Sequence, residues 1–284
     1  MHLSKEGVAI ACAERLPEGL TVTHQAFVAA ANPLTSPDPI IDYLNNASLT
    51  DSKAGMVLNR GEYQLLLVEA PEVPENELKE ALIWRVKDFM NCAPEAAYID
   101  YCPLPEDAYR GRGNRVYVAV VERELVEARA RWMESLGLEP AWIDIPELSL
   151  LNLVESITED EMGTAVLALE SDHSHLLMCS GSQLYMTRDL PYNPQTQIDS
   201  TVLDVQRSMD YFESQIGKPP CVRILVLPLQ VGETPLMMAL REGLGADVQS
   251  LDLADVITAS EPLRVDLQQS CLYAIAAALR PEGV

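Results

Sequence analysis

The segment Thr164 to Pro191, TAVLALESDHSHLLMCSGSQLYMTRDLP, constrains the fold more than any other part of the chain. It reads as three short strands, Thr164 to Leu169, His175 to Cys179 and Gln183 to Arg188, joined by tight turns at Ser171-Asp172 and Ser180-Gly181-Ser182. Such turn residues bend the backbone through side-chain hydrogen bonds or through glycine's access to positive φ. The chain opens on a related pattern: Gly7 to Cys12, a Pro17-Glu18-Gly19 turn, then Leu20 to Ala26. A strand–turn–strand unit at the head of each half predicts a duplicated α/β fold.

Proline-rich breaks at Asn32–Pro39 and Pro71–Pro74 divide the first half, with a short helix carrying Ile40, Ile41 and Leu44 after the first. Met56–Leu58 and Tyr63–Val68 predict a hairpin around Asn59-Arg60-Gly61. Helical spacing places Leu78, Leu82, Val86 and Phe89 on one face of a helix over Glu75–Met90. Helices over Glu122–Leu136 and Asp199–Ile216 end at Gly137 and Gly217, a common C-terminal stop. The expected subdomains are residues 1–73 plus 138–155, an inserted unit over 74–137, and 156–284. Trp132 and Trp142 read as core.

Acidic residues number 43 against 20 lysines and arginines, a formal net charge of −23. Such a field repels nucleic acid and anionic headgroups, so neither is an expected partner. No apolar run approaches the ~18 residues of a spanning helix, and the first residues lack a signal peptide's apolar stretch. The six cysteines are scattered without a C-x-x-C pair, as reduced, buried thiols are. The expected location is the cytoplasm.

Several segments, in order, resemble PilM-type type IV pilus assembly proteins: ELKEALIW (77–84), GLEPAWIDIPELSL (137–150), LYMTRDLP (184–191), VQRSMDYFESQ (205–215) and YAIAAALR (273–280). The wording is nearest to the MshI proteins of MSHA biogenesis and more distant from the cytoplasmic part of GspL. The resemblance implies a duplicated actin-like (ribonuclease H-like) fold with an inserted α/β subdomain. It also implies a place beneath the inner membrane and a partner in the cytoplasmic tail of a PilN-like bitopic protein, with the assembly motor ATPase as a further candidate. The tail would lie between the main body and the inserted unit, against Leu78, Leu82, Trp84, Tyr98 and Tyr101. Trp84 stands off the apolar stripe, as a binding anchor would.

In such folds ATP phosphates sit on glycine-rich turns, because bare backbone N–H groups must approach the oxygens. Here the expected first turn, around Ala11 and Ala13, has no glycine and is followed by Glu14; the second, around Ser171 and Asp172, has lost its glycine and keeps carboxylates; the adenosine turn retains Gly232 alone. The expectation is a degenerate ATPase without catalytic residues or cofactor, acting as an adaptor. An active ATPase with Mg²⁺ on Asp172 or Glu170 is the alternative. His173 and His175 share a strand face and could converge on an ion with Asp172, Glu170 or Cys179. They are read as solvated turn histidines, with no metal expected. The RGRGNR loop, Arg110–Arg115, is read as a contact for an acidic partner or a mobile hairpin tip.

Overall fold

The computed structural model describes residues 1–17, 19–111, 113–157 and 162–280. The first half contains β1 (His2–Leu3), β2 (Gly7–Leu16), β3 (Gly19–Ala29), α1 (Asp38–Asn46), β4 (Lys53–Val57), β5 (Tyr63–Glu69), α2 (Glu75–Val86), β6 (Ala97–Pro103), β7 (Arg115–Glu122), α3 (Arg123–Ser135), β8 (Glu139–Asp144) and α4 (Pro146–Ile157). The second contains β9 (Gly163–Leu169), β10 (Ser174–Ser180), β11 (Gln183–Leu190), α5 (Ile198–Tyr211), β12 (Cys221–Leu227), α6 (Pro235–Gly243), β13 (Asp247–Ser250), β14 (Thr258–Ala259) and α7 (Val265–Ala278).

The duplication is visible in the pairing. One sheet has the order β14-β3-β2-β1-β4-β8 and the other β11-β10-β9-β12-β13. In each, an antiparallel meander of three strands is extended by two parallel ones: β1 pairs β4 and β4 pairs β8, as β9 pairs β12 and β12 pairs β13. Thus β1–β2–β3 corresponds to β9–β10–β11.

Alternation along β2 explains the layering. Val8 and Ile10 point to the face covered by Ile40 and Leu44 of α1 and by Trp132 and Met133 of α3, whereas Ala9 points to the opposite core. Gly137 ends α3 at φ +78°. There the Leu138 amide donates back to the Met133 carbonyl at 3.2 Å, satisfying a carbonyl that the helix leaves without an internal partner.

The halves interlock. Helix α4 leaves the first sheet and packs on β10 and β11, α7 leaves the second and packs on β2, β3 and β4, and β14 pairs the edge of β3. Leu150 and Leu153 of α4 meet Leu176, Leu177 and Ile275 in one core that spans both halves. No helix among the described residues is long and apolar enough to cross a membrane.

Two expectations need correction. Tyr63–Val68 does not form a hairpin with Met56–Leu58: β4 is taken on both edges by β1 and β8, and β5 pairs β7 antiparallel. The three-stranded sheet β5-β7-β6, covered by α2, therefore begins before the Pro71–Pro74 break. At its other end, α3 packs with the first sheet through Trp132, Met133 and neighbouring Leu136. The small sheet thus takes in β5, which precedes the expected 74–137 unit, while α3 packs on the first sheet and on β6 and β7 as well.

Candidate functional site

A cleft of about 1180 Å³ opens where the three sheets meet. Two equivalent turns line it: Ser4, Lys5 and Glu6 between β1 and β2, and Glu170 to His173 between β9 and β10. The first turn of the duplicated unit is therefore Ser4–Glu6. Ala11 and Ala13 lie within β2, which pairs β3 continuously apart from a register shift at Cys12/Ala13, so they form no turn at all. The Pro17–Gly19 connection is the next turn along, and Glu18 lies outside the described residues. Ser171 and Asp172 do form the second turn, closed by the Glu170 amide donating to the His173 carbonyl at 2.9 Å. Gly232 sits at φ +78° beside Val231, which is 77% exposed, and does not line the cleft.

The cleft floor corrects the reading of the histidines. His173 and His175 are 5% and 1% exposed, not solvated. Their Nε2 atoms stand 3.2 Å apart, and Glu170 Oε1 lies 3.2 Å from the first and 3.5 Å from the second. His173 Nδ1 donates to Asp172 Oδ1 at 2.8 Å, since a carboxylate can only accept. The Tyr273 hydroxyl on α7 donates to Glu170 Oε1 at 2.8 Å, and the Tyr63 hydroxyl donates to Glu147 Oε2 at 2.6 Å. Cys179 is at the far end of β10, wholly buried, and contributes nothing.

The turn is strongly polarised. Burial pushes the Glu170 carboxyl up, but hydrogen bonds from His173 and His175 outweigh it and hold the group well below the carboxylate range. Burial pushes the His173 imidazole down; the Glu170 and Asp172 carboxylates outweigh it and raise it. Burial raises Tyr63 and Tyr273, reinforced by neighbouring carboxylates, so both stay neutral donors. Two of the cleft's cations are engaged with acids: Arg60 Nε donates to Asp189 Oδ2 at 2.6 Å, and Arg129 pairs with Glu62; a third, Lys5, lies on the first turn. A polyanionic ligand would meet Lys5 and Glu6 at the first turn, and Glu170 and Asp172 at the second.

The partner-binding candidates separate. Leu82 is fully buried on the inner face of α2, and Leu78 and Tyr101 pack partly into the same core, so Leu82 cannot line a surface. Trp84 is 69% exposed, with the Lys87 ammonium 4.9 Å from its ring centroid. Two residues from Leu82 on a helix is about 200° round the axis, which turns Trp84 to solvent. Tyr98, 42% exposed, alternates with buried Ala97 and Ile99 and lies under the Arg123 guanidinium on the sheet's other face. Phe89, expected on the buried stripe, is 66% exposed. The α-helix ends at Val86, and Phe89 lies in the short 3-10 turn that follows, over Lys87–Phe89.

A second groove, of about 710 Å³, is lined by Cys102–Asp107, Leu151, Ser180 and Ser182–Tyr185 with Lys218. It takes in the end of the expected Tyr98–Leu104 stretch. The residues that bound the Arg110–Arg115 loop are packed. Tyr109 is 6% exposed, edge-on to Tyr211 at 6.4 Å and beneath the Arg115 guanidinium at 4.1 Å. Arg112 lies outside the described residues. Trp132 is core, its indole donating to the Pro33 carbonyl at 3.1 Å, and Trp142 packs face-on to Gly55 in the first sheet.

Sequence reasoning missed Tyr273, Glu147 and Tyr63. A phenol inside the otherwise apolar YAIAAAL helix was the available signal for Tyr273. Glu147 follows Pro146 at a helix start and shows nothing that marks it as buried.

No protein-family model and no curated protein matches this sequence. Solved structures do match in three dimensions. A chain of the PilM–PilN type IV pilus biogenesis complex superposes with a TM-score of 0.76 at 16% identity, covering 98% of this chain and 95% of that one. The cytoplasmic domain of EpsL, an inner-membrane component of the Vibrio cholerae type II secretion system, gives 0.51 at 13% identity over 97% and 92%. A Bacteroides thetaiotaomicron protein of actin-like ATPase fold and unknown function gives 0.51 at 10% identity over 87% and 88%. With the duplicated sheets and the exchanged helices, these likenesses establish the actin-like fold, carrying a small α/β unit beside the cleft.

Proposed function

We propose that this protein is a non-catalytic cytoplasmic adaptor of a type IV pilus or related secretion platform. It docks the cytoplasmic tail of a PilN-like inner-membrane protein and passes that contact to the assembly machine, the motor ATPase included. The observation that carries the docking role is the pair of exposed aromatics, Trp84 and Phe89, on the small unit of a fold shared with a chain of the PilM–PilN complex. Large aromatics left in water are the residues that anchor interfaces. The MSHA system is the specific platform that the sequence wording favours.

The adaptor reading draws on the cleft for its second half. A phosphate oxygen about 4 Å from Glu6 or Asp172 meets roughly 1–4 kcal/mol of repulsion per pair. Glu170, on the second turn, is engaged by two imidazoles and a phenol. Thermal unfolding with and without millimolar Mg·ATP tests this. A ligand at about 100 times its Kd stabilises by ~2.7 kcal/mol. No shift in Tm is expected, and a magnesium-dependent rise of several degrees would replace the adaptor by an ATP-binding assembly protein.

A further inference from the structure

The three donor atoms on the cleft floor form a triangle with edges of 3.2, 3.2 and 3.5 Å. Ligands about 2.05 Å from a tetrahedral zinc ion are roughly 3.3 Å from one another. The radius through the three atoms is about 1.9 Å, so a point about 2.05 Å from each lies roughly 0.7 Å off their plane, as in one face of a zinc tetrahedron. Hydrogen bonds alone do not require three such nearly equal edges. From this we infer that Glu170 Oε1, His173 Nε2 and His175 Nε2 form a binding site for a divalent transition ion of the zinc type, with its fourth position open to the cleft.

The surroundings fit the same chemistry. Histidines that bind a metal through one nitrogen hold the other against a carboxylate or carbonyl, which fixes the tautomer and aims the lone pair. His173 Nδ1 donates to Asp172 Oδ1 at 2.8 Å, so an ion would take the place of a proton at Nε2 alone. His175 Nδ1 faces Glu147 Oε1 at 3.6 Å, and Glu147 is itself held by the Tyr63 hydroxyl. Tyr273 fixes the Glu170 carboxylate from the opposite side. All three donor residues line the cleft, so an ion has a route in.

The sequence puts Glu170, His173 and His175 within one turn and the strand it enters, so the fold builds the site locally. None of this depends on the adaptor reading.

The test is calorimetric titration of the chelator-treated full chain with ZnCl₂, with bound metal counted by elemental analysis and Co²⁺ used as a visible-absorption probe. One ion per chain is expected, with cobalt bands of tetrahedral intensity and a rise in Tm. His175→Gln should abolish binding. Because a buried substitution can also unfold the chain, Asp172→Ala supplies an independent variant: its carboxylate is 79% exposed, and its loss should weaken Zn²⁺ affinity about 10–100-fold while the apo Tm stays put. His24→Ala, remote from the cluster, should bind as wild type. Absence of stoichiometric Zn²⁺, octahedral cobalt spectra, or unchanged affinity in Asp172→Ala and His175→Gln would each overturn the site.

Discussion

Trp84→Ala separates a docking residue from a structural one. Trp84 is 69% exposed, so of the roughly 250 Å² of a tryptophan side chain about 170 Å² still faces water. At about 25 cal/mol per Å², complete burial of that area by a partner would contribute ~4 kcal/mol, and a partner covering one face of the ring about half of it. Loss of ~2 kcal/mol on truncation is roughly a thirtyfold rise in Kd. The free protein should hardly notice: the ring meets the exposed Lys87 ammonium, a contact of about 0.5–1 kcal/mol. The Tm should move by no more than about 2 °C. The assay is calorimetric titration of both proteins with a synthetic peptide of the PilN-like protein's cytoplasmic N-terminus. Thirtyfold weaker binding with an unchanged Tm is expected, and Phe89→Ala should act in the same direction. Wild-type affinity in the Trp84→Ala/Phe89→Ala double variant would refute the reasoning and move the search to the groove at Cys102–Asp107.

Other consequences concern the fold. Gly55→Ala places a methyl group 2.0–2.1 Å from the Trp142 ring in a strand paired on both edges, and should cost at least about 1–3 kcal/mol in chemical denaturation. Leu153→Ala empties a wholly buried position on the helix that joins the halves, and should cost about 3–5 kcal/mol in a single unfolding transition common to both. Burial holds His2, edge-on to Tyr273 at 5.0 Å, down to about 4. The unfolded chain then binds the extra proton between pH ~6.5 and ~4, so stability falls as pH drops through that window, by up to about 3 kcal/mol. His2→Phe should flatten that limb of the acid-denaturation profile. Burial pushes the Cys179 thiol up to about 12, so it should resist thiol reagents until the protein unfolds.

The duplication and most elements were legible in the sequence, because turn residues and periodic apolar positions are local signals. The triplet at Thr164–Pro191 and the stops at Gly137 and Gly217 appear where those signals placed them. What failed depended on distant partners. Tyr63–Val68 is apolar enough to pair with any strand, and only the inserted unit's β7 decides which. The first cleft turn was misplaced because β1 is two residues long and left no strand signal, so Gly7 to Cys12 stood in for it. The burial of His173 and His175 was half visible: the run Leu176–Cys179 lacks the alternation of a one-sided strand, which marks it as covered on both faces. That α4 and α7 supply the Glu147 and Tyr273 around it is a consequence of the exchanged helices, and no local pattern encodes it.

The central claim is that docking, without nucleotide, is this chain's work. It is tested most directly by titrating the wild-type protein with the PilN-like N-terminal peptide in the presence and absence of saturating Mg·ATP. The account predicts one peptide per chain with the same Kd in both titrations, and no heat when Mg·ATP is injected alone. Peptide binding that appears only with Mg·ATP, or a saturable nucleotide heat, would contradict it.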